Sequence, residues 1–129
     1  MGQSKQVQVL IVDDESAIRM NLAAFLEDES FEVLEAESAE QGLQILCSCC
    51  PDVSIVDLRL PGLDGCQFIK EAHHKHPEMK FFIHTGSHEF QLTDELKLIG
   101  LTAEDIWLKP IISMKQVVQA IQLSVGGIG

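Results

Sequence analysis

The sequence predicts an α/β domain in which a parallel sheet carries helices on both faces. Five short apolar runs of strand type alternate with stretches in which apolar residues recur at helical spacing. The chain has 129 residues, the size of one domain, and its 46% of hydrophobic residues against 22% of charged ones is typical of a globular protein. We therefore predict a single domain over residues 1–129, with a core at about 6–125 and with 126–129 as a tail or the start of a linker.

The first half of the chain contributes three strands and two helices to this prediction. Apolar runs predict strands at residues 7–12, 31–34 and 53–56. Helical spacing relates Ile18, Leu22, Phe25 and Leu26 in one stretch and Leu43, Leu46, Cys47 and Cys50 in another. Ser38 and Gln41 form a capping-box pattern before the second of these helices, and Pro51 is expected to end it.

The second half contributes two more strands and three helices. The strands are predicted at residues 81–83 and 106–108. Pro61-Gly62 predicts a turn, and Asp64 is placed to cap the third helix. Gly100 marks the end of the fourth helix, and Ser113 begins a second capping-box pattern before the fifth.

Net charge excludes several classes of function. Residues 1–64 hold 13 acids and 3 bases, a net of −10, while residues 65–129 hold 7 acids and 6 bases, a net of −1. A total of −11 argues against a domain that binds nucleic acid or an anionic membrane by itself. The N-terminal sequence is unlike a signal peptide, so we expect a cytoplasmic protein whose four cysteines are reduced.

Polar side chains follow four of the five predicted strands. Asp13 and Asp14 follow the first, Asp57 the third, Thr85 the fourth and Lys109 the fifth. The carboxyl ends of parallel strands meet at one edge of the sheet, so these groups are expected to lie together. A single polar residue after a strand usually belongs to a turn or caps a helix. Complementary polar groups at four of the five strand ends indicate a shared site instead.

This pattern predicts a particular chemistry at the sheet edge. Three crowded carboxylates repel one another, and a hard divalent cation such as Mg²⁺ relieves the repulsion. Lys109 and Thr85 then supply donors for an incoming anion. An aspartate beside Mg²⁺ and a lysine is suited to attack phosphorus, which gives an aspartyl phosphate.

These residues resemble the receiver domain of bacterial two-component response regulators. The matching segments stand in the family's order and spacing, and they are VLIVDDE (9–15), SIVDLRLPGLDG (54–65), HTGS (84–87) and LKP (108–110). The resemblance covers roughly residues 6–125. It implies a doubly wound, flavodoxin-like (βα)5 fold with strand order 2-1-3-4-5.

The resemblance also implies the metal ligands. Asp14 and Asp57 would bind Mg²⁺ directly with the backbone carbonyl of Arg59, and Asp13 would act partly through water. We expect that Mn²⁺ can substitute. The domain would then catalyse only its own phosphorylation and dephosphorylation, and we expect no enzyme activity on a separate substrate.

The phosphoryl chemistry follows from the same resemblance. Asp57 would accept a phosphoryl group from the phosphohistidine of a sensor histidine kinase or a phosphotransfer protein. Lys109 would pair with that group, and Thr85 would turn to hydrogen-bond it. The new charge would reorder the face of helix 4, strand 5 and helix 5, which controls an output domain, a downstream protein or a phosphorylation-dependent homodimer.

Three positions depart from the family pattern. Ile106 stands where the family usually has an aromatic residue, so either switching is altered or Ile106 only fills an edge-strand site. Arg59 and Ser87 flank the path of the attacking water. We hypothesise that Arg59 shields the phosphoryl group and changes its hydrolysis rate, the alternative being a solvated arginine.

Other functions remain open beside this interpretation. An aspartyl-phosphate phosphatase typically needs a second aspartate where Arg59 stands, and a flavin binder would need a phosphate loop where Asp13 to Glu15 repel phosphate. A degenerate receiver that acts only as a scaffold is disfavoured by the intact pocket residues. Three closely spaced cysteines (47, 49 and 50) lack zinc-site spacing, and His84 and His88 are expected to be structural rather than to tune a pH response.

Overall fold

A computed structural model describes residues 6–60, 62–111 and 113–126. All strand pairs are parallel and form one sheet of order β2-β1-β3-β4-β5, which confirms the predicted fold class and strand order. The strands are β1 (Gln8–Val12), β2 (Glu32–Ala36), β3 (Val53–Val56), β4 (Lys80–Thr85) and β5 (Ile106–Leu108). The helices are α1 (Ser16–Asp28), α2 (Ala39–Leu46), α3 (Gly65–Lys75), α4 (Asp94–Ile99) and α5 (Met114–Gly126).

The sheet is buried between two apolar layers because successive side chains of a strand point to opposite faces. One layer packs under α2, α3 and α4 and includes Leu10, Val56 and Phe68. The other packs under α1 and α5 and includes Ile11 and Ile55. None of the described helices is both long enough and apolar enough to cross a membrane.

Predicted helix caps are confirmed in the structure. Backbone N–H groups donate from Gln41 to Ser38 Oγ at 3.0 Å, from Gln67 to Asp64 Oδ1 at 2.9 Å and from Gln116 to Ser113 Oγ at 3.3 Å. Gly100 ends α4 with a φ of 119°, a left-handed conformation that favours glycine. The predicted Pro61-Gly62 turn is only partly described, because Pro61, like residues 127–129, lies outside the described residues, while Gly62 has a φ of 74°.

Several boundaries differ from the prediction, and β4 runs over Lys80–Thr85 rather than over residues 81–83. α2 ends at Leu46, so Cys50 is not on its apolar face and Pro51 is not what ends the helix. The last turn tightens instead, with the N–H of Cys47 donating to the carbonyl of Gln44 at 3.1 Å. β2 runs to Ala36 rather than to residue 34, which brings Glu35 into the strand.

The edge strand β5 places its side chains on both layers. Ile106 is half-buried and packs against the layer of α2, α3 and α4. Trp107 points to the other layer and stacks on Phe82, with ring centroids 4.4 Å apart. The aromatic group of this strand therefore lies on the face opposite to Ile106.

Gly65, the first residue of α3, is packed against the end of β3. A Cβ atom at this position would press on the carbonyl oxygen of Asp57 and would lie 2.8 Å from Leu58 Cα, both of them backbone atoms that cannot rotate away. The close approach holds the start of α3 beside the carboxyl end of β3.

We predict that Gly65→Ala lowers the free energy of unfolding by about 1–3 kcal/mol, the usual cost of overpacking. Gly86→Ala is the matched control, because a Cβ there meets no atom within 4 Å. Urea unfolding of the two variants and the wild type measures the difference. Equal losses of stability at both positions would contradict the packing argument.

Candidate functional site

Sheet hydrogen bonding continues past the ends of the strands and fixes the polar residues that follow. The N–H of Asp13 donates to the carbonyl of Ala36 at 3.0 Å, and the N–H of Asp57 donates to the carbonyl of Val12 at 2.9 Å. The N–H of Lys109 donates to the carbonyl of Thr85 at 2.8 Å. The backbone thus sets the mutual positions of Asp13, Asp57, Thr85 and Lys109, which are 24 to 96 positions apart in the sequence (85 to 109 and 13 to 109).

Three carboxylates converge at this edge, as predicted. Asp13, Asp14 and Asp57 each offer an oxygen within 4.8 Å of the others, and among the described residues they form the acidic group that could hold a metal ion. Asp13 is 2% exposed and Asp57 4%, whereas Asp14 faces solvent. The set consists of hard oxygen donors with one open side, which fits Mg²⁺ with bound waters.

The two buried aspartates are oriented by the turns that follow them. Asp13 Oδ1 accepts from the N–H of Glu15 at 2.9 Å, and Asp57 Oδ1 accepts from the N–H of Arg59 at 3.1 Å. One oxygen of each carboxylate is thereby held toward its own loop. Their Oδ2 atoms both face a single cation.

That cation is Lys109. Its Nζ lies 3.2 Å from Asp13 Oδ2, 3.2 Å from Asp57 Oδ2 and 2.6 Å from Glu15 Oε1. Burial lowers the pKa of Lys109, but the hydrogen bond to Glu15 and the charges of Asp13 and Asp57 outweigh it and raise the pKa above its ordinary value. Lys109 is therefore fully charged at neutral pH, yet it is one cation among four carboxylates when Asp14 is included.

The pKa of Asp57 reflects its burial and this shortage of positive charge. Burial raises the pKa of Asp57, and the neighbouring charge of Asp13 raises it further, while the N–H of Arg59 and the charge of Lys109 oppose both. The net pKa lies above the ordinary value for an aspartate. A second cation at the cluster would favour the ionised form.

Thr85 lies at the same edge but on the opposite face of β4 from His84. Thr85 is fully buried, and its Oγ1 accepts from the N–H of Ser87 at 3.0 Å, so the hydroxyl proton remains to be donated. Ser87 takes part through its backbone, and its side chain is half-exposed. The sequence predicted that Thr85 follows the fourth strand, whereas Thr85 is the last residue of β4. It lies at the predicted edge of the sheet, and the bond from Ser87 shows how its hydroxyl is held.

A cleft of about 710 Å³ opens beside the carboxylates, between α1 and the segment that follows β5. Its polar wall includes Asp14, Asp57, Arg59 and Lys109. The guanidinium of Arg59 is exposed on this wall, and among the described residues no ion pair is recorded for it. The cleft connects Asp57 to the solvent.

The contacts of two residues at the site were not predicted. Glu15 pairs with Lys109, and this contact lowers the pKa of Glu15. Arg19 on α1 is 8% exposed, and it donates from Nη1 to the carbonyl of Asp13 at 2.8 Å and from Nε to Glu35 on β2 at 3.0 Å. A basic residue on the buried face of an acidic helix was the only sequence signal for Arg19.

Comparison with protein families agrees with this geometry. The family described as the response regulator receiver domain matches residues 9–122. The chain is 35% identical over 102 residues to the KDP operon transcriptional regulatory protein KdpE of Escherichia coli, covering 79% of this chain and 44% of that protein. It is 29% identical over 93 residues to the sporulation initiation phosphotransferase F of Bacillus subtilis, covering 72% and 75%. The chain thus spans less than half of KdpE.

Solved structures share the fold. A response regulator receiver domain from Clostridium thermocellum has a TM-score of 0.76 and 31% identity, covering 93% of this chain and 94% of that one. NtrX from Brucella abortus has a TM-score of 0.82 and 26% identity, covering 95% of this chain and 27% of that one. The response regulator TrrA from Thermotoga maritima, solved as a Mg²⁺–BeF complex, has a TM-score of 0.79 and 23% identity, covering 93% of this chain and 100% of that one.

The raised pKa of Asp57 leads to a prediction about how the stability of the fold depends on pH. A carboxyl whose folded-state pKa is raised contributes stability at low pH, and this contribution is lost as the pH rises through the raised pKa. We therefore expect Asp57→Asn to increase the free energy of unfolding by about 1 kcal/mol at neutral pH. The difference from wild type should shrink as the pH falls toward about 4.

Urea unfolding at several pH values measures this difference. Glu71→Gln, at an exposed position of α3, is the control and should show no such pH dependence. An Asp57→Asn variant that is less stable than wild type at neutral pH would show that the ionised carboxylate stabilises the fold.

Proposed function

Because this chain belongs to the response regulator receiver domain family, we propose that Asp57 is the phosphoacceptor of a two-component signalling pathway. The phosphoryl donor would be the phosphohistidine of a sensor histidine kinase or of a phosphotransfer protein. The observation that carries this proposal is the buried carboxylate of Asp57, which lies 3.2 Å from Lys109 within a cluster of three aspartates. The name of the Bacillus subtilis relative, a phosphotransferase of similar length, supports it.

The transfer would proceed by attack of an Asp57 carboxylate oxygen on phosphorus. A P–O bond forms as the P–N bond to the donor histidine breaks, and the leaving imidazole takes its proton from solvent. Lys109 would remain with the transferred group, because its Nζ already lies beside Asp57 Oδ2 at 3.2 Å. Thr85 would donate its hydroxyl proton to a phosphoryl oxygen.

We further propose that Asp13, Asp14 and Asp57 hold Mg²⁺ together with the backbone carbonyl of Arg59. The convergence of the three carboxylates supports this, since one lysine cannot balance them. When bound, Mg²⁺ neutralises charge on the carboxylate and on the transferred group. The oxygen ligands fit Mg²⁺, and nothing among the described residues singles out Mn²⁺.

The output would be controlled at the face of α4, β5 and α5. A phosphoryl group adds about −1.5 to −2 charges, and Thr85 links it to β4, the strand beside β5. Large apolar side chains already lie on this face, with Leu98 88% exposed and Leu108 42%. We propose that an output domain, a downstream protein or a second copy of the chain binds there, in the cytoplasm.

A phosphatase that acts on separate substrates is a weaker candidate. The position two residues after Asp57 would have to supply an acid, and it carries the exposed cation Arg59. A scaffold that needs no phosphorylation would have no use for the charge arrangement around Lys109. We therefore propose that the domain turns over only its own phosphoryl group.

Phosphorylation is tested by incubation with acetyl phosphate and Mg²⁺ followed by intact mass measurement. We expect a gain of one phosphoryl group that is abolished in Asp57→Asn and by a metal chelator. Asp28→Asn, at an exposed position near the end of α1, is the matched control and should be phosphorylated like wild type. A gain that survives in Asp57→Asn would refute the assignment of Asp57.

Arg59 generates a separate prediction about the lifetime of the phosphorylated form. An exposed guanidinium on the cleft wall can pair with the phosphoryl group and obstruct water. We expect Arg59→Asn to hydrolyse faster by a factor of about two to five, the equivalent of one exposed ion pair. Decay of the phosphorylated mass after removal of donor gives the rates, and identical half-lives would mean that Arg59 is only solvated.

A further inference from the structure

His84 lies beside the phosphoacceptor on the same face of the sheet. Val12 pairs with Val56, and Val56 pairs with Ile83, so the next residues, Asp13, Asp57 and His84, lie abreast on neighbouring strands. Adjacent strands are about 4.8 Å apart, and residues at equal register point to the same face. His84 is thus next to Asp57 in this row, on the α1 and α5 side.

The side chain of His84 carries an unused polar atom. His84 is 4% exposed, and its buried Nε2 has no hydrogen-bond partner among the described residues. Such an atom destabilises a fold, and an apolar side chain of similar size would avoid the cost. Packing alone therefore does not explain why a histidine occupies this buried position.

The surroundings of His84 determine the protonation state of its imidazole. Burial first, and then the charge of Lys109, lower the pKa of His84 to about 4, although the charges of Asp57 and Glu15 oppose this. The imidazole is therefore neutral at neutral pH and has one N–H group to donate. A neutral donor adds no charge to a site in which Lys109 is already shared among carboxylates.

We propose that the Nε2–H of His84 donates a hydrogen bond to the phosphoryl group carried by Asp57. The bond would come from the α1 and α5 side of the sheet, while the hydroxyl of Thr85 approaches from the other side of β4. This inference rests on the proposed function of Asp57. His84 lines the same cleft as Asp57 and Lys109, and a phosphoryl group brings three acceptor oxygens into it.

Two variants separate hydrogen bonding from packing. His84→Gln keeps an N–H donor, and His84→Leu keeps a similar volume without one. The probe is beryllium fluoride with Mg²⁺, a phosphoryl mimic, with affinity measured by calorimetry. We expect His84→Leu to bind it about 10- to 100-fold more weakly than wild type and His84→Gln to remain within about threefold.

Further measurements guard against a merely structural effect. Affinity for Mg²⁺ alone should be unchanged in both variants, and His84→Leu should unfold at a urea concentration no lower than wild type. His73→Leu is the matched control, because His73 on α3 also has a buried, unpartnered ring nitrogen but is away from the site. It should bind the mimic like wild type.

Each outcome of the experiment bears on one statement. If wild type fails to bind beryllium fluoride, the proposed function of Asp57 fails. The role of His84 can be judged if wild type binds beryllium fluoride and Asp57→Asn does not. Equal affinity of wild type and His84→Leu for beryllium fluoride would then overturn that role. An equal loss of affinity in His84→Leu and His84→Gln would overturn it as well. If His84→Leu does not fold, ¹⁵N NMR of wild type decides, because an Nε2–H signal unmoved by the mimic overturns the inference.

Discussion

The central constraint on this structure is the repulsion between carboxylates that the parallel sheet brings to one edge. Asp13 and Asp57 are buried, and Lys109 is the cation that touches both. The sheet imposes this crowding, because backbone hydrogen bonds fix both aspartates directly after their strands. The backbone hydrogen bonds that define the fold therefore also hold the carboxylates close together, where further positive charge would reduce their repulsion.

The fold was largely predictable from the sequence, and the site was predictable in part. Continuous apolar runs marked β1 and β3, and short polar residues such as Ser38 and Asp64 marked helix starts, because both signals are local. The end of α2 was missed, since a tightened last turn leaves no marker residue. Lys109 and the aspartates were found because a parallel sheet collects its strand ends.

The contributions of Arg19 and Glu15 could not be read from the sequence. Arg19 acts through contacts with the Asp13 carbonyl and with Glu35, a residue that the predicted β2 did not include. Glu15 follows Asp13 and Asp14 in the sequence, but nothing in the sequence indicated its contact with Lys109. The partners lie 6 and 16 positions from Arg19 and 94 positions from Glu15. Hydrophobic periodicity carries no information about such polar partners.

The stacking of Trp107 on Phe82 makes Trp107 an intrinsic fluorescence probe of this domain. Trp107 is the single tryptophan of the chain, and it stands two residues before Lys109 in the edge strand. Indole emission depends on the polarity and packing around the ring, so any displacement of β5 relative to β4 alters its intensity or wavelength. Movement of β5 against β4 can thus be followed in the unlabelled protein, without a reporter residue being introduced.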